Sequence, residues 1–278
     1  MNTAHLSFEQ CEPNHWQFRY IGETKKEMEY FDSGLELIGA DMPGKAAQKF
    51  RMVLRNFPEH IGALYHLGCA MKAQGKGLDA WAFFELAVAL ARSKIPREFV
   101  WKDAVISWYA GDNRDYMQSC MLLAIELIER GFFERGSGYL EHLLVVWPND
   151  NLGVRHIVPE CYLRMGAYDK ALAHAKLHAD EDSPYILYSA PLAMLKTGRD
   201  GEARESMTQA VARRPKVAQE LLKKMHVPPR GMISWAESPG GADEAYRYWQ
   251  RMGPFWLSEP KAIDLLRSVA VERGVKIG

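Results

Sequence analysis

Residues 61–92 read IGALYHLGCAMKAQGKGLDAWAFFELAVALAR. Apolar residues recur at helical spacing on both sides of Gly75 and Gly77, which predicts two antiparallel helices joined by a glycine-bearing turn. Gly68 and Ala80 are small enough to let the two helices approach closely, while Leu67 and Phe84 fill the space between them. One hairpin of this kind cannot bury both of its apolar faces, so the unit requires neighbours.

The spacing of Leu64, Leu67, Gly68 and Met71, followed by Ala80, Phe84 and Ala87, resembles the pattern of a tetratricopeptide (TPR) repeat. A step of 34 residues back from Gly68, Ala80 and Phe84 lands on Gly34, Ala46 and Phe50, and Pro58 closes that earlier unit. The resemblance implies an all-α, TPR-like helical-hairpin solenoid of about five repeats, at 27–60, 61–92, 117–149, 152–183 and 184–216. Pro159 and Pro191 fall inside the first helices of the last two repeats, where a missing N–H predicts a bend or a late start. Residues 93–115 fit no repeat phase yet carry Phe99, Trp101, Ile106 and Trp108, so a short helix packed inward is expected there. Residues 1–26 form an N-terminal arm expected on the first helix pair. Residues 217–278, with Trp235, Tyr246, Tyr248, Trp249, Phe255 and Trp256, form an aromatic-rich helical cap.

Composition narrows the function classes. Thirty-five basic residues balance thirty-five acidic ones, which gives no global field for nucleic acid or an anionic membrane. Cys11, Cys69, Cys120 and Cys161 lie far apart with no CxxC pair, which argues against a zinc knuckle or a disulfide framework and for reduced thiols. The first residues lack a signal-peptide pattern, and no run approaches the ~20 apolar residues of a membrane span. A cytoplasmic location is therefore expected. No phosphate-loop, dinucleotide or GxSxG motif occurs, so no cofactor and no enzymatic activity are expected. His174 and His178 share one helix face at i,i+4 spacing; they are the weaker, metal-enzyme alternative.

Two motifs sharpen the resemblance towards a group of bacterial TPR proteins: Asn113-Arg114-Asp115-Tyr116-Met117 and Asn149-Asp150-Asn151-Leu152-Gly153-Val154-Arg155. The segment Ser238 to Ala245 also resembles that group's C-terminal part. Asn and Asp at these places predict helix caps, while Arg114 and Arg155 are candidates to hold a partner's carboxylate. The TPR resemblance further places Phe31, Tyr65, Cys69, Met121, Ile125, His156, Glu160 and Tyr188, with Leu35 and Leu192, along the concave groove. These are mostly apolar or aromatic. The expected function is a non-enzymatic scaffold that binds a protein or peptide there. The rival is a structural or assembly protein whose own tail fills the groove and which acts as a homo-oligomer.

Overall fold

The computed structural model describes residues 4–232 and 238–276, so Trp235 lies outside the described residues. The chain is mainly helical and divides into two compact units, 1–155 and 156–278.

The first unit begins with two strands, β1 (His5–Glu12) and β2 (His15–Ile21), paired antiparallel. Three helical hairpins follow: α1 (Lys25–Gly39) with α2 (Pro43–Asn56), α3 (Ile61–Ala73) with α4 (Gly77–Ser93), and α5 (Gly111–Glu129) with α6 (Phe133–Val146). Between α4 and α5 lie a single 3-10 turn at Trp101–Asp103 and the short strand β3 (Val105–Ile106), which pairs parallel to β2. Each helix packs on the next, and the first helices of the hairpins form a row, α1 against α3 and α3 against α5.

Helix spacing within the first two hairpins is set by a phenyl ring lying on a glycine. A Cβ built on Gly34 would sit 2.6 Å from Phe50, and one on Gly68 would sit 2.5 Å from Phe84. Both rings are wholly buried. The third hairpin moves the small residue to its second helix, where a Cβ on Gly136 would lie 2.7 Å from Ile128. The turn between α3 and α4 needs Gly75, whose φ of 74° strains any residue with a Cβ.

The arm at 1–26 differs from expectation, because it is a β-hairpin fastened mainly to α3 and α5. Leu6 and Phe8 on β1, and Trp16, Phe18 and Tyr20 on β2, alternate at the period of a strand. Asn14 turns the chain at φ 62°. Asn113, expected to cap α5, instead lies inside that helix, fully buried, and serves β2 as a neighbouring strand would. Its Oδ1 accepts from the Phe18 N–H at 2.8 Å, and its Nδ2 donates to the carbonyls of Trp16 and Ser107 at 3.2 and 3.0 Å. Asp112 accepts from the Tyr20 N–H at 3.2 Å. The Tyr20 hydroxyl donates to Asp115 at 2.7 Å and accepts from the Gly62 N–H at 2.8 Å. A Cβ on Gly62 would sit 2.2 Å from the Asp115 carboxylate, so only glycine fits there.

In the second unit the prolines shorten the helices. α7 (Val158–Arg164) starts late, with Pro159 in its first turn, and pairs with α8 (Tyr168–Leu177). The next first-position helix is broken into α9 (Pro184–Leu187) and α10 (Ser189–Lys196), with Pro191 in the first turn of the latter. Then come α11 (Asp200–Arg213), α12 (Pro215–Leu221), α13 (Ala242–Leu257) and α14 (Pro260–Glu272).

Gly68→Ala should force the Phe84 ring to move and lower stability by about 1–3 kcal/mol, the usual range for overpacking. Urea unfolding of Gly68→Ala, Phe84→Leu and the double variant checks this. The double variant should lose less than the sum of the singles; simple additivity would contradict the contact.

Candidate functional site

The row of first helices in unit 1 presents a continuous face. Met28 (46% exposed), half-buried Phe31 and Leu35 (37% exposed) come from α1. Half-buried Tyr65 and Cys69 come from α3, and half-buried Met121 and Ile125 from α5. Gly34 and Gly68 turn towards the second helix of each hairpin, and the residues three before and one after them lie about 60–100° round the helix, on the flank of that contact.

Aromatic stacking stiffens this face from below. The Phe31 ring lies 4.9 Å from His60, 5.5 Å from His66 and 5.7 Å from Phe50, and Tyr65 lies 4.4 Å from His66. Burial pushes His66 down to about 4, so it is a neutral ring at physiological pH. Burial raises the Tyr65 hydroxyl above its ordinary value, with the Cys69 thiol adding to the shift. The Cys69 thiol is itself pushed up to about 11 by burial, against the opposing hydrogen bond from Tyr65. A thiol held protonated in this way is not a nucleophile. At one end of the face the buried Glu126 carboxylate receives Lys72 at 2.6 Å and Arg130 at 2.7 Å, and Lys72 also meets Glu129 at 3.1 Å. That cluster ties α3 to α5 and leaves the face apolar between polar rims.

The β-hairpin borders the other end of the row. Asp115, beneath Tyr20, is pushed up to about 6 by burial, although the Tyr20 hydroxyl bonds to it and opposes the shift.

The two arginines take internal partners. Arg114 donates from Nε to the Trp108 carbonyl at 2.8 Å and lies 5.5 Å over the Trp108 ring. Arg155 meets the buried Asp150 carboxylate at 3.0 Å and donates to the Asn149 carbonyl at 3.3 Å. Asp150 also accepts the Val154 and Arg155 N–H groups, both at 2.9 Å, and so caps the 3-10 turn at Val154–His156. Asn151 accepts from the Trp147 indole at 2.7 Å. The asparagine-rich motif is thus a capped turn with its arginine folded onto it.

In unit 2 the corresponding positions are covered by the chain's own tail. Tyr188 is wholly buried, its ring 5.8 Å from Tyr248 and 6.0 Å from Trp256 of α13, and its hydroxyl donates to the Arg214 carbonyl at 2.8 Å. Glu160 is buried and paired to Arg251 of α13, with Arg164 at 3.6 Å. Arg214 faces Glu244 at 3.3 Å, and Trp249 stacks on His226 at 3.7 Å. Glu160 and Tyr188 therefore do not line an open groove, because α13 occupies that side of α7, α9 and α12. His156 meets Glu181 at 3.7 Å, and Glu181 also meets His178 at 3.0 Å. His174 packs against Tyr162 and His178. Among the described residues no group of three or more His, Cys, Asp or Glu is placed to hold a metal ion. Among the described residues no helix is long and apolar enough to cross a membrane.

Arg251→Ala leaves the buried Glu160 facing the more distant Arg164 and should cost about 1–3 kcal/mol. Adding Glu160→Gln should recover part of that loss in urea denaturation. A loss left unchanged by the second substitution would show that Arg251 acts through packing alone.

Comparison with known proteins gives a consistent picture. A family model described as "Transcriptional repressor TCF25" matches residues 45–274. No curated protein matches the sequence. Among solved structures, YrrB, described as a TPR protein with an unusual peptide-binding site, has 17% identity and a TM-score of 0.54, covering 69% of this chain and 89% of its own. MamA has 16% identity and a TM-score of 0.53, covering 74% of this chain and 99% of its own. A putative kinesin light chain with TPR-like repeats, from Podosopora anserina, has 16% identity and a TM-score of 0.50, covering 70% and 98%. The fold is that of a TPR protein.

Proposed function

This chain belongs to the Tcf25 family, and from that premise we propose that it is a non-enzymatic protein-interaction scaffold. Its binding surface is the face of unit 1 formed by Phe31, Tyr65, Cys69, Met121 and Ile125, with Met28 and Leu35 at its margin. The observation that carries this reading is an apolar row left half-open on three adjacent helices, stiffened by rings beneath it and bounded by satisfied ion pairs. A face of that chemistry suits an apolar peptide or helix laid across it; the exposed Met28 and Leu35 offer adaptable contacts. YrrB, of the same fold, is described as binding a peptide, which supports the reading by analogy of fold.

The family's description as a transcriptional repressor accords with a scaffold. Repression through protein contacts needs no surface that reads DNA, and the balanced charge supplies no field for nucleic acid. Arg114 and Arg155 are assigned to holding the scaffold together rather than to a partner. Unit 2 favours the structural reading: its own α13 fills the place a ligand would take.

Tyr65→Lys with Met121→Lys places two charges on the face while leaving the wholly buried Phe84 and Leu123 untouched. In crosslinking capture from source cells, proteins recovered with the wild-type chain should be lost with this variant, while its helical circular-dichroism signal is unchanged. Recovery of the same proteins by both chains would overturn binding through this face.

A further inference from the structure

A second concavity in unit 1 carries different chemistry. A cavity of about 380 Å³ opens between the β-hairpin and the segment that precedes β3, lined by Gln10, Trp16, Glu98, Phe99 and Asp103 among others. Its walls are aromatic and braced: Trp16 stacks on Phe8 at 5.3 Å, Phe99 meets Trp16 edge-on at 5.0 Å, and Trp101 meets Phe99 at 4.8 Å. Two carboxylates, Glu98 and Asp103, stand on the same cavity.

Among the described residues neither carboxylate is paired with a cation. The ion pairs among the described residues include neither Glu98 nor Asp103, although the exposed Arg97 and Lys102 are their chain neighbours. Lys94, earlier in the same segment, is held by Glu59 at 2.6 Å. Carboxylates beside indole and phenyl walls provide what an organic cation needs: opposite charge, a π-face, and an apolar surface for the stem that carries the charge. An anion would meet repulsion from both carboxylates, and a purely apolar ligand would leave them to be desolvated without recompense. The volume lies in the range of small-ligand pockets.

We infer that this cavity binds an organic cation, a guanidinium or alkylammonium group, with Trp16 and Phe99 as its walls and Glu98 and Asp103 as its counter-ions. The site is separate from the apolar face of α1, α3 and α5 and does not rest on it. Free cation and basic side chain share this chemistry, and the test distinguishes them.

Isothermal titration calorimetry of the full chain uses agmatine as the free cation and a blocked Gly-Arg-Gly tripeptide as the side-chain source. A blocked tripeptide with norleucine in place of arginine is the neutral control. At least one of the two cations should bind, and the neutral control should not. Glu98→Gln with Asp103→Asn, both at exposed positions, should weaken that binding roughly tenfold or more, the scale of a lost ion pair beside an aromatic wall. Phe99→Leu should weaken it as well, at an unchanged unfolding midpoint for the carboxylate variant. Tripeptide binding without agmatine binding identifies a protein side chain as the source, and the reverse identifies a free cation. No heat from either cation, equal binding of the neutral control, or full binding by the double carboxylate variant would overturn the site.

Discussion

The first two hairpins of unit 1 depend on a phenyl ring seated on a glycine across the helix pair. Phe50 on Gly34 and Phe84 on Gly68 fix how close the two helices of a hairpin come, because no side chain intervenes and no water-sized gap remains. The same contact fixes rotation. With Gly68 turned to α4, Tyr65 and Cys69 fall on the flank of that contact, and with Gly34 turned to α2, so do Phe31 and Leu35. An interior packing choice thereby decides which residues the row of first helices offers outward.

The two units use that arrangement differently. In unit 1 the outward residues stay half-open, and the β-hairpin is pinned beside them by Asn113, Asp112 and Asp115. In unit 2 prolines shorten the equivalent helices, and α13 lays Tyr248, Arg251 and Trp256 on what remains. A shortened helix with an uncovered apolar side would be a liability in water, so the tail supplies the missing neighbour. The first unit thus keeps a half-open apolar face, while the second is capped by its own tail.

The residues that were legible in the sequence are those whose spacing alone carries meaning. Gly34, Ala46 and Phe50 repeat Gly68, Ala80 and Phe84 at one offset, the signature of a stacked hairpin repeat. Pro159 and Pro191 likewise announced short helices, since a missing N–H acts locally. Tyr188 and Glu160 were misplaced because periodicity names the side of a helix and not what covers it; Tyr248 and Arg251, which bury them, lie 60 and 91 residues away. Asn113 was misread for a similar reason. A buried asparagine three residues into a helix resembles a cap until a strand edge is brought against it, and the strand signal was the alternation of Leu6 with Phe8 and of Trp16 with Phe18 and Tyr20.

Hydroxyl-radical footprinting of the native chain tests the central claim most directly, since it reads side-chain exposure residue by residue. Met28, Leu35 and Met121 should be oxidised in the folded protein, while Tyr188, Tyr248 and Trp256 stay protected until the chain is unfolded in urea. Native-state oxidation of Tyr188 and Trp256 as rapid as that of Met121 would contradict a covered second unit and an open first one.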